Sequence, residues 1–307
     1  LIIITTSIES VTGKDGTQKE QHRMDAIKGF AVALMLAATP VQAAKLPADV
    51  PVEVGMRVEG ALAIGSDGRI TALEIDKQDA LPDAVAALVR NTVQQWQFEP
   101  SVRDGVPVPM GTRMTVRVVA RPGANETFNV RLVSAHFEPA KSDAERAADI
   151  RGRMLPPRYP AEVFRNGGQG TVYLALKVDE EGRVIDRIAE QVNLRSAGTP
   201  RQMDAFRSGL AKASLEAARK WRFPQSAGDT ALGQPYRTLR VPVTFAINQT
   251  PADDLGQWRA YIPGPRSRIP WVTGADSAGF SPDLLMDGTA TLADDPNAPR
   301  LLTPLSG

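Results

Sequence analysis

One pattern occurs twice in this chain, and it limits the folds the chain can adopt. Gly60 to Ile70 reads GALAIGSDGRI, and Gly170 to Val184 reads GTVYLALKVDEEGRV. In both stretches alternating apolar residues flank an acidic–Gly pair, Asp67-Gly68 or Glu181-Gly182. Such pairs tolerate the positive φ of a tight turn, so each stretch predicts a β-hairpin.

Each hairpin leads into a segment of helical period. Leu81, Val85, Leu88, Thr92 and Trp96 recur at three- and four-residue steps, as do Met203, Phe206, Leu210, Ala213, Ala217 and Trp221. Each segment exits through a Trp-x-Phe followed closely by proline, Trp96 to Pro100 and Trp221 to Pro224, which stops the helix. Strands of period two follow, Arg113 to Ala120 and Leu239 to Ile247. The expected fold is α+β: two tandem ββαβ units, each a small antiparallel sheet with a helix on one face. The spacing from turn glycine to Trp is 28 residues in the first copy and 39 in the second, which predicts a longer loop around Val192 to Gln202.

The expected boundaries are residues 46–137 for the first unit, 138–150 for an Ala- and charge-rich linker and 151–249 for the second unit. Residues 250–307 form a Pro/Gly-rich tail, with eight Pro and six Gly from residue 251 onward, a composition that argues against a core of its own. Its Trp258, Tyr261 and Trp271 are suited to docking it on a surface, the chain's own second unit being the simplest one. Upstream, Met24, Lys28, the apolar run Gly29 to Ala38, Pro40 and Ala43 follow the order of a secretory signal over residues 24–43, with residues 1–23 preceding the expected start. The apolar run is about half of the roughly 20 residues that a spanning helix requires.

Composition removes several classes of function. With 36 basic and 35 acidic residues the chain lacks the charge excess that drives nucleic-acid binding. It has no cysteine, and of its two histidines only His136 lies beyond the signal, so thiolate chemistry, His-cluster metal sites and histidine triads are not expected. The expectation is a non-enzyme with no cofactor, no metal and no nucleic-acid partner.

The second copy carries a further series of motifs. Pro156-Pro157-Arg158-Tyr159-Pro160 comes first, then Gly170 opening a strand, the acidic-Gly182-Arg183 turn, Trp221-Arg222-Phe223 and the strand through Phe245. In this order, over Met154 to Asn248, the sequence resembles the C-terminal domain of TonB, the periplasmic module of an energy transducer that contacts outer-membrane receptors. The first copy, about Val52 to Ala120, resembles a diverged member that lacks the Tyr-Pro entry.

The resemblance implies β-strand addition: a short receptor segment lies along the last strand and the chain before the Tyr-Pro pair. Carried over, the partner-binding residues are Pro157, Arg158 and Tyr159 with Leu239, Arg240, Val241, Val243, Thr244, Phe245 and Ile247. An exposed sheet edge supplies main-chain donors and acceptors for such pairing. Pro242 lacks a donor, which marks its strand as an edge.

The implied partner is a peptide of an outer-membrane receptor or another envelope protein, met in the periplasm. Two alternatives stand beside it. One is an assembly protein that forms homodimers through its sheet edges. The other is a complete transducer, if residues 24–44 remain as a membrane anchor.

Overall fold

The computed structural model describes residues 52–122, 128–139, 154–223, 235–247, 255–273, 276, 279–293 and 295–305, together with the backbone of residues 2–4. The expected signal lies outside these residues, as do residues 140–150 of the expected linker, whose first two residues, Glu138 and Pro139, end a strand, and all of the expected upstream segment except residues 2–4. The strands are β1 (Ile2–Ile4), β2 (Glu53–Ile64) and β3 (Ile70–Ile75), followed by helix α1 (Asp83–Val93). Next come β4 (Ser101–Arg103), β5 (Val106–Val108), β6 (Met110–Pro122) and β7 (Phe128–Pro139). Helix α2 (Ala161–Arg165), β8 (Gly170–Asp179), β9 (Val184–Leu194), α3 (Pro200–Ala218), β10 (Tyr236–Phe245), β11 (Arg259–Tyr261) and β12 (Thr291–Leu292) complete the order. The fold mixes antiparallel sheets with few helices.

The first sheet runs β1-β7-β6-β2-β11, with β3 also on β2; the second runs β12-β10-β8-β9. Alternation along each strand sends one set of side chains towards a helix. Met56, Val58, Leu62, Met114, Val116 and Val118 close on Val85, Val89 and Val93 of α1. In the second sheet Leu174, Leu176, Val241 and Val243 close on Met203, Phe206 and Leu210 of α3. The buried face of α1 is thus set by Val85, Val89 and Val93; Thr92, named from the sequence, is only partly covered.

The turn glycines and the Trp-x-Phe exits, separate signals in the sequence, meet in space. Phe98 N–H donates to Gly68 O at 2.8 Å, and Phe223 N–H donates to Gly182 O at 2.9 Å. Both glycines have φ +78°, and a Cβ on either would stand 2.0 Å from the facing Phe carbonyl oxygen. Trp96–Phe98 and Trp221–Phe223 pack edge to face at 6.3 and 6.4 Å. Each hairpin tip is therefore fastened to the end of its own helix.

The eleven additional residues of the second copy do not form the expected longer loop. They lengthen regular elements: β9 has 11 residues against 6 in β3, and α3 has 19 against 11 in α1. Thr199 and Gln202 form a capping box with Pro200 in the first turn, which fixes where α3 starts.

Apolar side chains among the tail's described residues complete the two cores. Leu301, Trp258 and Leu305 join the first cluster, and Ile262, Ala290 and Leu292 join the second. Docking extends to both sheets rather than to the second unit alone. β11 pairs with β2, Ile262 exchanges main-chain bonds with Leu194 at the outer edge of β9, and the 3-10 turn Pro282–Leu284 touches β6, β7 and β10.

Candidate functional site

β10 pairs along its whole length with β8, from Tyr236 opposite Asp179 to Phe245 opposite Gly170. In an antiparallel pair alternate residues point their main-chain groups outward. Here these are Thr238, Arg240, Pro242 and Thr244. Pro242 falls on an outward position, so its missing donor costs the sheet no ladder bond.

The outward groups are met by the chain itself. Ala293 N–H donates to Thr238 O at 2.8 Å, Arg240 pairs with Thr291, and Leu239 with Leu292. Gly288 N–H donates to Pro242 O at 3.4 Å, and Thr244 N–H donates to Asp287 Oδ1 at 2.8 Å. Burial pushes the Asp287 carboxyl up from its ordinary value, an effect opposed by the Thr244 hydrogen bonds and by Arg195. Residues 287–293 therefore cover the edge that the sequence singles out.

The named side chains divide into three groups. Leu239, Val241, Val243 and Phe245 face α3 and belong to the core, so any contact they make with a partner runs through their main chain. Tyr159 packs edge to face on Phe164 and Phe245 at 5.4 and 5.2 Å, and its hydroxyl donates to Gly168 O at 2.7 Å. Pro157 is partly covered and Arg158 exposed on the extended stretch before α2, which Trp221 Nε1 fastens through Leu155 O at 2.8 Å. Ile247 N–H donates to Gln169 Oε1 at 2.9 Å. The entry segment and the C-terminal end of β10 thus meet at the Tyr159–Phe245 contact.

Arg240 and Thr244 belong to the third group, on the helix-free side of the sheet. Arg240, 4% exposed, binds Glu190 of β9 at 2.9 Å and Asp276 of the tail. Arg266 binds the same two carboxylates, reaching Glu190 at 2.6 Å, and the Phe280 ring lies under both guanidinium groups at 4.5 and 5.7 Å. Two cations and two anions thus close a neutral network, its Glu190–Arg240 half buried and its other half, from the tail, partly exposed. On the first sheet Arg117 meets Asp283 at 3.1 Å and lies over the Tyr261 ring at 4.4 Å.

Sequence reasoning did not find this network. Glu190, Arg240, Arg266 and Asp276 are spread over 87 positions, and no local pattern joins them. The alternation that puts Leu239 and Val241 in the core does place Arg240 on the opposite face; what covers that face is a tertiary fact. Among the described residues no three His, Cys, Asp or Glu are grouped to hold a metal, and no helix is long and apolar enough to cross a membrane.

No family model matches the chain, and no solved structure matches it. It is similar to Protein TonB of Xanthomonas campestris pv. campestris, strain B100, at 37% identity over 110 residues. The same values hold for Protein TonB of strain ATCC 33913. The match takes in 35% of this chain and 42% of each relative, so the chain spans less than half the length of the curated relatives it matches. A TonB-like family is supported over about a third of the chain.

Proposed function

We propose that this chain is a TonB-like protein of the Gram-negative periplasm that binds a peptide of an outer-membrane receptor or another envelope protein by strand addition, in the service of energy-dependent outer-membrane transport. It is built of two tandem TonB C-terminal-like units, the first diverged. The observation that carries the reading is the 37% identity over 110 residues to Protein TonB. The matched fastening of Gly68 to Phe98 and of Gly182 to Phe223 supports the duplication. The receiving edge is β10, with Met154 to Tyr159 beside it, and binding needs no catalytic group or cofactor.

In the first unit the place outside the last strand is filled by β7, which pairs with β6 from Thr112–Pro139 to Pro122–Phe128. In the second unit the same place holds the two pairs of β12 and the hydrogen bonds of Asp287, Gly288 and Ala293. That difference favours the second unit as the receiver. A homodimer through the β10 edge requires the same tail segment to lift.

The test is binding of synthetic peptides from the periplasm-facing segments of outer-membrane receptors to the full chain and to Thr244→Pro. This substitution removes one outward donor and no main-chain bond to β8, together with the hydroxyl contact of Thr244 with Thr171 at 3.0 Å. The expected result is binding by the native chain and a loss of at least tenfold in the variant, with the circular dichroism spectrum retained. Equal binding by both would refute the proposed edge.

A further inference from the structure

The occupant of the β10 edge carries a side-chain pattern of its own. Asp287 supplies an oxygen to Thr244 N–H. Two alternate residues further along, Ala290 and Leu292, pack on the core of the second unit. Thr291, between them, pairs with Arg240 and gives its hydroxyl to Glu138 Oε1 of β7 at 3.2 Å. The segment is thus a short strand with one polar anchor and two apolar contacts, held by few bonds and tethered on both sides.

We infer that residues 287–292 are an internal stand-in for the strand this edge accepts, and that their pattern states what the edge selects. The ligand class is an extended peptide with an Asp or Asn oxygen opposite Thr244, a small apolar residue three positions later and a leucine-sized one two beyond that. The inference rests on the proposed reading of β10 as a receiving edge. It adds that the edge is closed at rest and that an incoming strand must displace the chain's own. A tethered segment competes at an effective concentration of about millimolar, so even weak pairing excludes a free peptide. Two residue pairs and the hydrogen bonds of Asp287, Gly288 and Ala293 hold this segment, against eleven pairs between β6 and β7, so the second edge opens at lower cost than the first.

The test uses the full chain and a labelled peptide of its own sequence, LMDGTATLAD, residues 285–294. Asp287→Ala with Ala293→Pro removes the acceptor for Thr244 N–H and the donor to Thr238 O and leaves β10 unchanged. The peptide is expected to bind this variant at least tenfold more tightly than it binds the native chain. Within the peptide, Asp287→Ala or Leu292→Glu is expected to weaken binding at least tenfold. The Thr244 amide is expected to lose hydrogen-exchange protection in the variant and regain it with peptide.

Equal binding to both chains, indifference to the two peptide changes, or an unaltered Thr244 amide overturns the inference. Should the variant not fold, the native chain is titrated with millimolar peptide. Loss of protection at Ala293 supports displacement, and an unchanged Ala293 refutes it. The underlying reading fails separately. If the loosened chain takes its own segment and no receptor segment, the stand-in remains and the receptor does not. If the native chain takes a receptor segment as tightly as the loosened one, the receptor remains and the stand-in does not.

Discussion

Replacing Glu190 by Gln tests whether the tail is held by charge or merely by contact. The side chains of Glu190 and Arg240 are 2% and 4% exposed, whereas those of Arg266 and Asp276 are 34% and 27% exposed. The substitution takes the network from neutral to one net positive charge and leaves Arg240 to Asp276 alone. Breaking a buried pair from one side costs about 3–5 kcal/mol. Asp276 persists and Arg266 still reaches water, so the expected loss is nearer 2–4 kcal/mol. Adding Arg240→Met to Glu190→Gln restores neutrality, with Arg266 and Asp276 still paired. The double variant should then be more stable than the sum of the single losses by about 2 kcal/mol. Equilibrium urea unfolding followed by tryptophan fluorescence measures all four corners of the cycle. Additivity within about 0.5 kcal/mol, or a Glu190→Gln loss below about 1 kcal/mol, would refute the reasoning.

Three further outcomes are expected. Gly68→Ala and Gly182→Ala should each cost about 2 kcal/mol or more in urea unfolding, from the left-handed backbone penalty of about 1–2 kcal/mol and the contact with the facing Phe carbonyl; a loss in one copy only would disprove their equivalence. Thr199→Ala should cost about 1 kcal/mol through the lost capping box, with the helical circular dichroism signal otherwise kept. Asp287, raised by burial, binds its proton more tightly folded than unfolded, so its contribution is full below the ordinary carboxylate value of 3.8 and is lost as pH rises through the folded value. Asp287→Asn keeps an oxygen for Thr244 without the charge. It should flatten that part of the pH–stability curve and leave stability at pH 7 equal or higher; a clear loss at pH 7 would contradict this account.

The parts of the fold visible in the sequence are those set by local chemistry. Alternation about Gly68 and Gly182 marked both hairpins, and the periods through Val85 and through Phe206 marked both helices. The start of α3 is also written there, in Thr199, Pro200 and Gln202, although the eleven extra residues by themselves predict a loop. Contacts between distant segments left no such mark. That Ala293 reaches Thr238, or that Asp283 reaches Arg117, depends on how a proline-rich stretch threads between two sheets, and neither period nor spacing encodes that path. Of the candidate site, the strand and its Pro242 were legible and its occupant was not.

The segment that fastens both sheets is also the last stretch of this sequence to be synthesised. β11, the Ile262 bridge, Asp283, β12 and Leu301 all lie beyond residue 254. A nascent chain therefore exposes two finished hairpin-and-helix bodies, each with a bare charged or polar flank, before the polypeptide that joins them has left the ribosome. Until residues 255–305 emerge, the second body's margin stands open to any chaperone or neighbouring strand that reaches it first.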